Sequence, residues 1–226
     1  MSIALAIVPS TQQYNVGVGA QFTPPYNEMG GTRYVANLIL GECQRRGITA
    51  RVFAGEADPP SSVANVRAEY IKSKAWLDSR PEATRLCLSL HTDSAGEIGS
   101  HTANVYGKEP NQTAAQSPSY QWGKVLAQRV QATLGTAGIL TLDYSDYLFY
   151  LLLRPHTSVL LEICAHDVYS DLAALYNKAQ LVASTVVDGT LQFAAPQVDP
   201  RLAALEAENA TLRSRLSQIA ALATAR

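Results

Sequence analysis

Cysteine is scarce in this chain, and its scarcity excludes a disulfide scaffold. Three cysteines occur in 226 residues, an odd number, and Cys43, Cys87 and Cys164 each sit among apolar neighbours. They read as reduced core residues, without the spacing of a disulfide framework or a Cys-based zinc knuckle. An excess of charge of either sign is also lacking: 18 Lys and Arg stand against 19 Asp and Glu, a net charge of −1. That balance gives none of the basic footprint of a nucleic-acid-binding domain. Long apolar runs are missing too. None approaches the roughly 18 residues of a membrane span, so no membrane insertion is expected. The segment from residue 1 to Val8 is apolar, has no basic leader and stops at Pro9, which reads as a first strand and not as a signal peptide. The expectation is synthesis in the cytoplasm.

What is present is an alternation of apolar runs with helical patterns, in a chain that is 47% hydrophobic. That suffices for one well-buried domain plus an appendage. Ile3 to Val8 reads as a buried strand followed by a polar loop. Asn27 is placed to cap a helix from Glu28 to Arg46, with Tyr34, Val35, Leu38, Ile39 and Cys43 at helical spacing and Gly47 as its stop. Ile48 to Phe53 reads as a strand, Ser62 to Ser79 as a helix and Leu86 to Leu90 as a third strand ending at His91. Ser100 to Tyr106, Tyr147 to Leu153 and Thr157 to Ala165 read as extended, with helices over Ser119 to Leu134 and Ser170 to Phe193. This order predicts an α/β fold over residues 1–193, three αβα layers around a mostly parallel sheet.

Composition changes after an Ala/Pro linker at residues 194–200. Asp199 is placed as an N-cap with Pro200 at the first helical position. Leu202, Leu205, Asn209, Leu212, Leu216 and Ile219 then fall at a and d of a heptad repeat, so residues 201–226 read as a coiled-coil helix. One Asn at an a position favours two parallel strands, and Glu208 and Arg213 fall where they would pair between chains. A homodimer through residues 201–222 is the expectation; a helix folding back on its own domain is the alternative.

Three residues draw attention as chemistry. Glu162 interrupts the apolar run Ser158-Val159-Leu160-Leu161-Glu162-Ile163-Cys164-Ala165. A carboxylate in a strand covered on both faces is costly unless neutralised, paired or bound to a metal. Near the carboxyl end of such a strand it lies where α/β sheets place their ligands; a buried ion pair is the plainer reading. His91 ends the third strand in Ser89-Leu90-His91-Thr92-Asp93-Ser94, and Glu28 opens the first helix. Imidazole and carboxylate ligands from separate elements suit zinc, with a further carboxylate to move protons. Taken singly, His91 also reads as a hydrogen-bonded strand residue and Glu28 as a first-turn carboxylate complementing the helix dipole.

Together these residues resemble the zinc-dependent N-acetylmuramoyl-L-alanine amidases of the amidase_3 type. Glu28 matches that family's helix ligand, and His91 in Leu90-His91-Thr92-Asp93-Ser94 its strand ligand. Glu162 in Val159-Leu160-Leu161-Glu162 matches its catalytic glutamate. The stretch from Gly99 to Tyr106 resembles its Gly-x-x-x-x-Tyr strand. The resemblance covers roughly residues 1 to 193. It implies Zn2+ as cofactor, bacterial peptidoglycan as substrate and hydrolysis of the amide between N-acetylmuramic acid and L-alanine, as in a phage endolysin released by a holin. One motif departs: Pro9-Ser10-Thr11-Gln12 stands where the family has Pro-Gly-His-Gly, so Thr11 and Gln12 occupy the loop of the first ligand. His166, four residues past Glu162, is the candidate replacement ligand, with weak binding by Thr11 or Gln12 as the alternative. A catalytically silent wall-binding or scaffold protein that has lost the metal is the second reading, and another metallohydrolase on the same scaffold the third.

Overall fold

Three apolar strands carry the fold, and their alternating side chains decide what covers each face. The structure, a computed structural model, describes residues 2–23, 25–60, 62–94, 104–106, 117–135 and 153–195. In order these form β1 (Ile3–Pro9), a 3-10 turn (Gly17–Gln21), α1 (Glu28–Arg45), β2 (Thr49–Val52), α2 (Ala64–Asp78), β3 (Thr84–Asp93), β4 (Asn104–Tyr106), α3 (Pro118–Leu134), β5 (Thr157–Ala165) and α4 (Tyr169–Ala194). The sheet runs β2-β1-β3-β5-β4. Its first four strands are parallel, and β4 pairs antiparallel with β5.

Ile3, Leu5 and Ile7, Leu86, Leu88 and Leu90, and Val159, Leu161 and Ile163 all point into one core. There they meet Val35 and Ile39 of α1, Trp122 and Leu126 of α3, and Leu172 and Val182 of α4. The intervening residues Ala4, Ala6, Val8, Cys87 and Leu160 point the other way, against Val66, Tyr70 and Leu77 of α2. The period of two in each strand thus gives the α/β/α layering, with both faces dry. All three cysteines are buried and free.

Local signals explain most boundaries. The Asn27 side chain accepts from Gly30 N at 2.7 Å and opens α1, which ends at Arg45 with Gly47 following at φ 68°. Ser117 caps α3, and Gly135 closes it in a left-handed conformation. Three expectations are corrected. The third strand is longer than its apolar stretch and carries on to Asp93, so His91 lies within it. The second helix begins at Ala64, not Ser62. Leu153 is helical, not extended, and residues 147–152 lie outside the described residues. Of the residues at helical spacing in α1, Tyr34 is 54% exposed. One compact unit closes at Ala194. The coiled-coil reading of residues 201–226 falls outside the described residues, as do residues 100–103 of the expected strand before Tyr106.

This topology brings the carboxyl ends of β1, β3 and β5 side by side. His91 is in register with Glu162 across β3 and β5, and Asn104 pairs with Glu162 on the far side. Between His91 and Asp93 the register slips against β5. Such irregularities re-aim side chains and often border active sites.

Candidate active site

Because side chains alternate along a strand, His91 and Glu162 leave the sheet on the same face, the one covered by α2. Glu28 reaches them from the first turn of α1. His91 Nδ1 lies 3.0 Å from Glu28 Oε1, and both residues are buried. An ionised carboxylate only accepts, so Nδ1 carries the proton and donates it. The other Glu28 oxygen accepts from Asn15 Nδ2 at 2.5 Å, and Asn15 Nδ2 also donates to Gln12 Oε1 at 2.6 Å. Burial alone would raise the Glu28 carboxyl. Hydrogen bonding and charge from His91, with hydrogen bonds from Ser10 and Asn15, outweigh it and hold the group below its ordinary value.

On its other side His91 Nε2 stands 3.5 Å from the Tyr70 hydroxyl, which is 2.8 Å from Ser89 Oγ. Ser89 Oγ in turn donates to the Val8 carbonyl at 3.2 Å. Both ring nitrogens of His91 are therefore oriented by the protein, a condition for defined proton positions.

Glu162 is a carboxylate of another kind. Its Oε2 is enclosed and accepts no hydrogen bond. Desolvation, opposed by the attraction of His91 and reinforced by the negative charges of Glu28 and Asp93, pushes its pKa up to about 8. A carboxyl so placed keeps its proton at neutral pH. Paired titratable groups whose surroundings push them in opposite directions are a mark of acid–base sites.

The other sequence candidates are placed as follows. Thr11 is fully buried, and its hydroxyl donates to Asp58 Oδ2, while Asp58 N donates to the Thr11 carbonyl at 2.9 Å. Asp58 Oδ1 accepts from Asn65 N at 2.7 Å, tying this loop to the start of α2. His166 packs just past β5, with Nδ1 donating to the Thr92 carbonyl at 3.1 Å and its backbone N donating to the Asp93 carbonyl. Gly17 crosses directly over it at φ 45°, where a Cβ would lie 2.3 Å from the His166 carbonyl oxygen. The structure thus brings Glu28, His91 and Glu162 together, with Gln12 at their border. It does not join His166 to them as a ligand set: among the described residues, no three His, Cys, Asp or Glu are grouped so as to hold a metal ion. Glu28 and His91 are two side chains of zinc-ligating type, where a catalytic zinc takes three from the protein. The described residues therefore do not fit a complete zinc centre.

Sequence reasoning missed Asn15, Asp58, Tyr70 and Ser89. The Tyr70 ring packs in the core beneath α2, and nothing in the sequence around it announces the partners of its hydroxyl. Asp58, standing before Pro59-Pro60 and a helix, carried a capping signal; its partnership with Thr11 carried none.

No family model and no curated relative matches the chain. Solved structures do. The N-acetylmuramyl-L-alanine amidase Ami1 of Mycobacterium smegmatis is 20% identical, aligned over 86% of this chain and 98% of that one with a TM-score of 0.62. The apo form of Ami1 from Mycobacterium abscessus is 16% identical, over 86% and 100%, at 0.64. The catalytic domain of the CD27L endolysin targeting Clostridia difficile is 20% identical, over 85% and 97%, at 0.55. At such identities the likeness is one of fold, and it matches the α/β architecture above.

Proposed function

We propose that the chain is a peptidoglycan hydrolase that cuts the amide between N-acetylmuramic acid and L-alanine, with Glu162 as the residue that moves the proton. The observation carrying this reading is the placement of Glu162 beside His91 at the carboxyl ends of the central strands, one oxygen buried and unpaired. The substrate class is taken from proteins of like fold that are amidases, and fold alone does not fix chemistry.

Hydrolysis of an amide needs water added at the carbonyl carbon and a proton delivered to the nitrogen as the C–N bond breaks. A carboxyl held protonated near neutrality supplies that proton, and its carboxylate then recovers one from the incoming water. Glu28, ionised and saturated with donors, holds the His91 ring by Nδ1 and fixes its orientation. Tyr70, itself held by Ser89, stands at the opposite nitrogen. Glu28 and His91 are the residues that would hold a zinc ion, which when bound supplies Lewis-acid polarisation of the carbonyl and a more acidic water. Action as a phage-type endolysin, made in the cytoplasm and released to the wall, and dimerisation through residues 201–222 belong to the same proposal.

The test is digestion of a defined muropeptide, with products identified by mass. Release of a peptide with a free L-alanine amine by the wild type, and its loss in Glu162→Gln, is the expected result. Cleavage of a different bond, or undiminished cleavage by the variant, overturns the assignment. Zinc content measured beside chelator-sensitive turnover reports separately on the ion.

A further inference from the structure

A second concave surface lies between α1 and α4, on the sheet face opposite α2. A cavity of about 430 Å3 opens between the first turns of α1 and the middle of α4, lined among others by Tyr26, Asn27, Gly30, Tyr34, Leu175 and Tyr176. None of its lining residues is charged. Its size falls within the range of small-molecule sites, which are largely apolar with a few polar groups for orientation.

The surface around it is built of stacked aromatic rings. Phe22 stacks on Tyr169 at 4.9 Å and on Tyr176 at 5.1 Å, with interplanar angles of 19° and 22°. Tyr26 meets Tyr176 edge-on at 5.9 Å. Tyr34, Tyr169 and Tyr176 are all substantially exposed. Gly31 lets the Tyr26 ring lie directly on α1: a Cβ there would be 1.8 Å from Tyr26 Cε2. So large an apolar payload facing solvent marks a contact surface.

We propose that this cavity binds a sugar ring of the wall glycan, an N-acetylated hexosamine; the proposal rests on the reading above that peptidoglycan is the substrate. A hexosamine ring has a C–H face that lies against an aromatic face, and a rim of hydroxyl and amide groups. Tyrosine suits both, presenting an apolar body and a polar tip, and Asn27 adds an amide at the wall. The absence of charge disfavours the ionic termini and carboxylates of a stem peptide. Position supports the same occupant. Asn27 lines the cavity and the next residue is Glu28, while the Tyr26 hydroxyl donates to Thr92 Oγ1 at 3.3 Å, one residue beyond His91. The mouth of the cavity at Asn27 is thus one residue along the chain from Glu28, and its Tyr26 wall is bonded to β3 beside His91.

The experiment uses the full chain and the β-1,4-linked tetramer of N-acetylglucosamine, which has no amide that the proposed reaction cuts. Binding is followed by calorimetry and by tyrosine NMR signals. The expected result is equal binding by wild type and Glu162→Gln, a roughly tenfold loss in Tyr34→Ala, as removal of one exposed stacking ring implies, and near-complete retention in Tyr34→Phe. Because Tyr34 is exposed, its variants fold, and the near-wild-type binding of Tyr34→Phe guards against a global effect. No binding by the wild type, or binding untouched by Tyr34→Ala, overturns the proposal. So does occupation of the cavity by an alkyl detergent that the tetramer cannot displace. Muropeptide cleavage without tetramer binding overturns this inference alone. Tetramer binding without cleavage overturns the proposed reaction alone.

Discussion

Two glutamates meet at one site and are treated oppositely by the chain around them. Glu28, in the first turn of α1, has one oxygen on His91 and the other on Asn15, and is held ionised. Glu162, on β5, has an enclosed oxygen with no donor and is held protonated, its pKa about 8. Desolvation raises both; only Glu28 has donors enough to reverse it. The difference teaches that role follows from surroundings. A helix start with a polar loop folded over it stabilises charge, whereas a central strand offers backbone already committed to its neighbours. In the proposed reaction the saturated carboxylate orients, and the unsatisfied one exchanges protons.

The widest break in the comparison comes from Glu162→Gln. The amide keeps the shape and loses the proton, so muropeptide cleavage should fall by roughly 10²- to 10⁴-fold, the usual worth of a general acid–base group. Stability should move otherwise. Glu162 has a folded pKa raised from an ordinary 4.5 to about 8, so the folded state binds more protons than the unfolded between those values. Wild-type stability therefore declines as pH rises through that window, with a slope approaching about 1.4 kcal/mol per pH unit for one proton. Glu28 acts in the other window: its depressed pKa gives stability that is present above 4.5 and lost as pH falls towards the folded value. Denaturant titrations at pH 4.5, 6, 7 and 8 should show the alkaline slope flattened in Glu162→Gln. An unchanged slope would mean that Glu162 is already ionised.

Next in size is Glu28→Ala. It strips His91 Nδ1 and Asn15 Nδ2 of their acceptor in a buried setting, where breaking a pair by removing one member costs roughly 3–5 kcal/mol. Urea midpoints should fall accordingly at pH 7, together with any zinc uptake. A loss below about 1 kcal/mol, the scale of an exposed pair, would show the two carboxylates to be less different than their surroundings imply.

How far this contrast could be read beforehand depends on distance along the chain. Glu28 was legible because Asn27 announces a helix start, and Glu162 because a carboxylate inside Val159–Ala165 conflicts with its neighbours. The layering was legible because Ile3–Val8, Leu86–Leu90 and Val159–Ile163 have strand length and no polar face. The end of the third strand falls two residues past His91: Thr92 and Asp93 are polar, yet the strand runs on and Asp93 pairs with Ala165 of β5 after a register slip that composition does not encode. The Thr11–Asp58 link joins residues 47 positions apart and had no local signal at all.

That link supplies a smaller break. Thr11 stands in the loop where amidase-like sequences carry a histidine ligand, and it spends its hydroxyl on the buried Asp58. Thr11→Val keeps the shape and leaves Asp58 Oδ2 without its donor, for an expected loss of about 1–3 kcal/mol. The measurement is the urea midpoints of wild type, Thr11→Val, Asp58→Asn and the double variant, taken as a cycle. Non-additivity between the two positions is the expected signature of a direct partnership. Additive losses would mean that the loop is held by its backbone bonds alone.

The smallest effect is expected at His166. Its Nδ1 hydrogen is committed to the Thr92 carbonyl, and it joins no group able to hold an ion among the described residues. His166→Ala should therefore cost only about the 0.5–1.5 kcal/mol of one neutral hydrogen bond. Zinc uptake, measured by titration on wild type and variant side by side, should be the same in both. A variant that takes up zinc at least tenfold more weakly would place His166 in the metal's reach and move the site towards β5. The saturated side of the comparison would then no longer be the side that meets the ion.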